Sequence, residues 1–518
     1  MRSNTATLPP LGMLILLGLS GLSGCIRVGP DFQPPGEAWV DNWESSALEQ
    51  SSQRGADPDI RQWWKIFADP VLDGLIAEAD AHNSSLKVAG LRVIQARAQL
   101  GIAQSARFPQ LQQASADALY VSRRQSGGIN PQDRDFRQYS TGFDIGWELD
   151  FWGRFSRAIE SSDAAYFAMQ ANYEDVLVLL RADVATTYFS FRTTQGRLRV
   201  ARENAEQQKR NFDITQKLFS SGQTAELDLQ QARTQYLGTL SIIPGLEDQM
   251  QRTRNVLASL IGRPPGALPE IPVNQDLIPL VNRAVLQDVP ARLLTRRPDI
   301  RAAELDVASQ SALIGVAKSD FYPSLTLFGS IVWSTDSLSG TPRNLDRAGG
   351  PSLRWNLFDH GQISNNVRVQ DARLQQLIEI YRDKVRQAAR EADDAAYGLV
   401  KSLERERILQ EAQQAAQRSL VLANTQYREG YSDFQRVLDA QRAALEQQDN
   451  YLLARSDAVS NAIALYKALG GGWYSSQPIV DRATRQQMQE RTDWGELLDE
   501  PVGAPTAPLH SDTGNAHD

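Results

Sequence analysis

Odd and even positions of residues 140–150 carry opposite chemistry. Phe143, Ile145, Trp147 and Leu149 are apolar, whereas Gly142, Asp144, Gly146, Glu148 and Asp150 are small or charged. A period of two puts these sets on opposite faces of a strand. Leu325, Leu327, Ile331 and Trp333 repeat the pattern within 324–334, and Leu353, Trp355 and Leu357 alternate with Ser352, Arg354 and Asn356 within 350–358. A fourth strand is expected near 111–122, where alternation is poor, and polar loops are expected at 123–138 and 336–347. Alternating segments of about ten residues that end in tryptophan suit the strands of a membrane barrel. Four strands cannot close one, since even a small barrel needs about eight. Several chains must therefore contribute, and oligomerisation becomes part of the expected fold.

The rest of the pattern is helical. Residues 154–219 and 362–427 contain no proline and are rich in Ala, Leu, Gln, Arg and Glu, all good helix formers. At 1.5 Å per residue each could extend roughly 100 Å. Ala388, Ala392, Ala395 and Leu399 have heptad-like spacing, which brings neighbouring helices close. Return helices are expected at 224–261 and 433–469, with Gly222 and Gly430 at the reversals, where glycine can take positive φ.

The chain is internally duplicated. Phe108-Pro109-Gln110-Leu111 recurs as Tyr322-Pro323-Ser324-Leu325, Trp147-Glu148-Leu149 as Trp355-Asn356-Leu357, and Gly153, Gly222 and Ala232 as Gly361, Gly430 and Ala440. The repeats are placed at 61–261 and 296–469, joined by a proline-rich equatorial linker at 262–295 and followed at 470–518 by a C-terminal equatorial segment and a tail whose composition from Pro501 onward is that of a disordered chain.

The amino terminus changes this picture. Arg2, an apolar stretch from Leu11 to Leu22 and then small residues make a signal peptide over 1–24. The chain's single cysteine, Cys25, follows at once. With no cysteine to pair with, it is expected to carry lipid, with 25–60 as an extended strap leading from it. The net charge of -8 argues against a nucleic-acid partner, which would need a basic field that the sequence lacks. The four histidines, His82, His360, His510 and His517, form no ligand cluster, and no phosphate loop or nucleophile elbow is present. Metal, cofactor and enzymatic readings are set aside. Glu148 and Asp150 sit at an acid/base spacing, but in an alternating strand they, with Asp144, are expected to line an aqueous lumen that leans towards cations.

Further residues carry a family resemblance. Val28-Gly29-Pro30-Asp31-Phe32-Gln33-Pro34-Pro35, Trp63-Trp64 with Phe67-Ala68-Asp69-Pro70, Arg297-Pro298-Asp299-Ile300-Arg301 and Val437-Leu438-Asp439-Ala440-Gln441 resemble motifs of the TolC-like outer-membrane factors, in the NodT-type lipoprotein branch serving resistance-nodulation-division efflux pumps. The resemblance covers Cys25 to about Leu469 and implies a membrane α+β hybrid barrel. In it a homotrimer forms a 12-stranded transmembrane β-barrel that continues into a long coiled-coil helical tunnel in the periplasm. Ile26 after the cysteine implies sorting to the outer membrane. The implied partners are outer-membrane lipid, a periplasmic adaptor protein and an inner-membrane pump, and the implied function is passive efflux of small toxic compounds or drugs. The family closes its tunnel with polar side chains near the second-half turn, which implies a gate of Tyr427, Arg428, Asp439 and Arg442, with Gln435 where relatives carry an aliphatic residue. The alternatives are a type I secretion duct for polypeptides and a non-conducting envelope spacer.

Overall fold

The computed structural model describes residues 27–36, 60–123, 134–266, 268–272, 278–281, 294, 296–336, 344–474 and 478–498. The expected signal peptide, Cys25, most of the strap and the tail beyond 498 lie outside them. Two compact units are present, one of residues 1–35, 95–168 and 304–380, the other of 36–94, 169–303 and 381–518.

The first unit holds the strands β1 (Leu111–Arg123), β2 (Arg134–Glu148), β3 (Ser324–Thr335) and β4 (Asn344–Arg354) in one antiparallel sheet of order β1-β2-β3-β4. Register fixes what shares a face. Ala114, Phe143, Ile331 and Arg347 form one row, and the next, Gln113, Asp144, Ser330 and Ala348, faces the other way. Phe143, Ile145, Trp147, Leu327, Ile331 and Trp333 are all exposed on the apolar face. Among the described residues β1 and β4 each have one strand partner, so both outer edges of the sheet are open there.

Three expectations need correction here. The strand expected at 350–358 lies at Asn344–Arg354. Trp355 to Phe358 have left the sheet, because the Asp359 carboxylate accepts from the Gly361 and Ile363 amides and turns the chain into the next helix. Residues 134–138 and 344–347, expected as loop, are strand. Backbone pairing carries a hairpin past the point where apolar alternation stops. The third concerns β2, which ends at Glu148 and so leaves Asp150 outside the strand.

The helices are α1 (Pro70–His82), α2 (Ser84–Ser105), α3 (Arg154–Ser220), α4 (Glu226–Leu260), α5 (Pro298–Ser319), α6 (Gln362–Arg428), α7 (Phe434–Ala468) and α8 (Arg482–Arg491). Both α3 and α6 have 67 residues, and both α4 and α7 have 35. The two sets are displaced by 208 positions, as 154 is from 362 and 226 from 434. The duplication extends to hydrogen bonds: the Trp147 indole donates to the Arg107 carbonyl at 3.2 Å and the Trp355 indole to the Phe321 carbonyl at 3.0 Å. No helix among the described residues is long and apolar enough to cross a membrane.

In the second unit the aromatic motif before α1 is core. Trp63 stacks on Tyr466 with ring centroids 5.5 Å apart, and Phe67 meets Phe189 at 4.8 Å. Asp69 caps α1 through the Val71 amide and accepts from the Tyr188 hydroxyl at 2.7 Å. Arg181, with 4% of its side chain exposed, pairs with Asp80 at 2.6 Å, lies over Trp64 and donates to the Gly472 and Tyr474 carbonyls. Arg297 is held similarly, donating to Asp299, Glu391 and the Ala468 carbonyl. The segment after Leu469 is thus part of the packed body. Its α8 follows an Asp481 cap, and Val480, Met488 and Leu498 form a cluster that Leu91, Ile94 and Trp494 complete. Ten mostly polar residues gave α8 no legible apolar stripe.

Candidate functional site

Two places carry the candidate residues, and each is described within its own unit. The first is the turn end of the helices. Gly222 and Gly430 have φ of +72° and +79°. The Gln223 amide donates to the Leu218 carbonyl and the Tyr431 amide to the Gln426 carbonyl, the six-to-one bond that ends a helix in a left-handed residue. An added Cβ at either glycine meets nothing within 4 Å, so only backbone conformation demands glycine there.

Beyond the second turn, Asp433 caps α7 through the Arg436 amide, and Phe434, Val437 and Leu438 are buried with Ala232 of α4. One turn of helix later the polar candidates meet. Asp439 accepts from Arg442 at 3.4 Å and from Gln435 at 3.1 Å, while Arg442 also donates to Gln235 of α4 at 2.8 Å. Both charges are more than half exposed, where such a pair is worth about 0.2–1 kcal/mol. The contact is weak and reversible. Tyr427 instead packs against the apolar cluster, its ring 5.3 Å from that of Phe434. Burial, then the charge of Asp228, raises its phenol. Arg428 is exposed and joins no ion pair among the described residues. The structure therefore brings together Asp439, Arg442, Gln435 and Gln235, and leaves Tyr427 and Arg428 out of that contact. Gln235 went unread, although it adjoins Thr234, the position 208 before Arg442.

The second place is the polar face of the sheet. Asp144 sits mid-strand between Gln113 and Ser330. Glu148 lies 3.7 Å from Arg154, which is also 3.8 Å from Asp320. Both oxygens of Asp150 are used: one accepts from the Phe155 amide at 2.9 Å, the other from the Ser156 amide at 2.9 Å and hydroxyl at 2.6 Å. Asp150 is the amino-terminal anchor of α3. Asp117 and Asp346, unread from the sequence, join Asp144 on the polar face through the rows Asp117-Ser140-Ser334-Asn344 and Ser115-Gly142-Val332-Asp346. Only register reveals them. Among the described residues no group of three or more His, Cys, Asp or Glu could hold a metal ion.

An open-edged sheet with one oily and one wet face, in a chain of duplicated 67-residue helices, defines an outer-membrane channel subunit. The chain belongs to the outer membrane efflux protein family, which it matches over residues 75–263 and 289–471. It is 31% identical over 480 residues to the pyoverdine export outer membrane protein OpmQ of Pseudomonas putida, covering 91% of this chain and 99% of that one. It is 30% identical over 460 residues to the cation efflux system protein CusC of Escherichia coli, covering 87% and 96%. Among solved structures, the outer-membrane channel OprN superposes with a TM-score of 0.79 at 32% identity, over 86% of this chain and 99% of that one. The protein is an outer-membrane efflux channel.

Proposed function

We propose that three copies close their open edges, β1 of one against β4 of the next, into a 12-stranded transmembrane barrel whose lumen continues through the helices into the periplasm. The observation that carries this is the sheet with two unpaired edges and an apolar face left in the open. Unpaired strand edges cannot face lipid, where each unmatched backbone group costs several kcal/mol. Four strands from each of three chains supply more than the minimum for closure.

In this reading Cys25 carries the lipid anchor. Energy comes from an inner-membrane resistance-nodulation-division pump, and a periplasmic adaptor docks at the turn ends. The Asp439, Arg442 and Gln235 contact holds the helices of the two repeats together in the resting channel. A docking partner offers replacement partners for these exposed groups, so the closed state can be left at little cost. The cargo is small toxic compounds or drugs. Relatives include a cation efflux system protein and a pyoverdine export protein, in keeping with a duct that has no narrow chemical preference.

The test is single-channel recording in planar bilayers. Wild type is expected to show a small, mostly closed conductance, and Asp439→Ala combined with Arg442→Ala a large, mostly open one. No conductance from either, using confirmed trimers, would remove the channel reading. Equal conductance from both would move the gate elsewhere.

A further inference from the structure

The motif after the cysteine is bound in a site of its own, within the first unit. Val28 donates its amide to the Trp152 carbonyl at 3.2 Å. The Arg157 guanidinium, with 3% of its side chain exposed, donates to the Val28 carbonyl at 3.3 Å, the Gly29 carbonyl at 3.5 Å and the Asp31 carboxylate at 2.7 Å, and is oriented from behind by Glu160 at 2.9 Å. A fork of five fixed donors suits this task better than an ammonium would.

Three close approaches show that the fit is built. Gly29 has φ of +103°, and a Cβ there would lie 2.4 Å from the Gly315 Cα. A Cβ on Gly315 would lie 2.7 Å from the Val28 carbonyl oxygen and 2.8 Å from the Arg157 Cγ. A Cβ on Gly153 would lie 3.0 Å from the Arg27 Cα. Arg157 belongs to the first repeat and Gly315 to the second, so the segment lies across both. Their helices are also joined directly by the Ser161 and Ser309 hydroxyls at 2.9 Å.

We propose that Arg27–Asp31 is a docking strap whose receptor is the Trp152-Gly153 turn with Arg157 and Gly315, and that docking tethers the lipid-bearing residue at the junction of sheet and helices. Cys25 precedes Arg27 by two residues, a span of about 7 Å at most. Without docking, the 36 residues from Cys25 to Ile60 would be a leash of roughly 30 Å r.m.s. length. The strap sets the depth of the junction relative to the membrane surface, and Arg157 is a positioning residue. The tethering role rests on the lipid reading of Cys25; the docking itself does not.

Trypsin tests the docking, because the Arg27–Val28 bond is a cleavage site whose amide is engaged with Trp152. The intact protein, purified in detergent, is digested and the appearance of a Val28 amino terminus is timed by mass spectrometry. Cleavage tracks local opening, so Gly29→Ala, Gly315→Ala and Arg157→Gln are expected to speed it about tenfold or more, and Arg157→Lys less. Cleavage elsewhere and helical circular dichroism are expected to stay unchanged. Gly29→Ala lies in the strap itself and does not burden folding of the body. Equal rates for wild type and Gly29→Ala would overturn the docking. Acceleration by Arg157→Gln at all sites alike would overturn its positioning role. The mass of the released peptide reads the lipid separately: an unmodified Cys25 would remove the tethering and leave the docking.

Discussion

Asp175 of α3 gives a prediction whose sign and size both follow from its surroundings. Burial, and after it the charge of Asp299, pushes its carboxyl up to about 6 from an ordinary 3.8, while Arg297, Lys384 and Lys467 pull the other way. The unfolded chain releases this proton near 3.8, whereas the folded chain keeps it until about 6. Through that window the folded state binds more protons, so its stability falls as pH rises, and above it the ionised carboxylate is a standing penalty. The separation is worth at most about 3 kcal/mol per chain, less what residual solvent contact screens. Asp175→Asn removes the charge and nearly keeps the shape. It is expected to raise stability at pH 7.5 by about 1–3 kcal/mol, a gain that shrinks towards nothing at pH 4. Neighbouring Glu174, also raised by burial and opposed by Arg301, titrates in both proteins and drops out of the difference. Unfolding in detergent, followed by helical circular dichroism at several pH values, measures it. A gain of the same size at pH 4 and 7.5 would mean altered packing, not charge. A loss at pH 7.5 would mean that the carboxylate is a needed partner of Arg297, and would refute the reasoning.

Arg181→Ala strands the Asp80 carboxylate, 10% exposed, and frees the Gly472 and Tyr474 carbonyls; the expected cost is about 3–5 kcal/mol, read as a fall in melting temperature. Asp150→Ala removes the cap of α3 and is expected to cost about 1 kcal/mol while leaving the reversal potential in a salt gradient unchanged. Asp144→Ala is expected to lower the cation preference in that measurement; a shift from Asp150→Ala instead would return Asp150 to the conduction path.

Legibility followed the range of the interaction. The long helices were readable because a proline-free run of good helix formers needs no distant partner, and the turns because Gly222 and Gly430 supply a local backbone need. β2 was readable because its apolar residues alternate. β4 was misplaced because Gly349, Gly350 and Pro351 carry no alternation, and its position comes from pairing with β3. Asp150 shows the limit at a single residue. Its parity in the sequence suits a lumen, yet the carboxylate is spent on Phe155 and Ser156 because the strand stops two residues earlier.

By itself the sequence determined what is periodic or repeated: a duplicated unit, two long helix pairs with their turns, and strands with one oily face. Only the tertiary structure decided which residues meet. It set the sheet register that gathers Asp117, Asp144 and Asp346, drew Gln235 to Arg442, folded the segment after Gly470 against Arg181, and seated Gly29 on Gly315. The physical reason is that propensity and amphipathic pattern act over a few residues and leave their mark in order. Close backbone approach and hydrogen-bond partnership join residues hundreds of positions apart, and no local pattern records them.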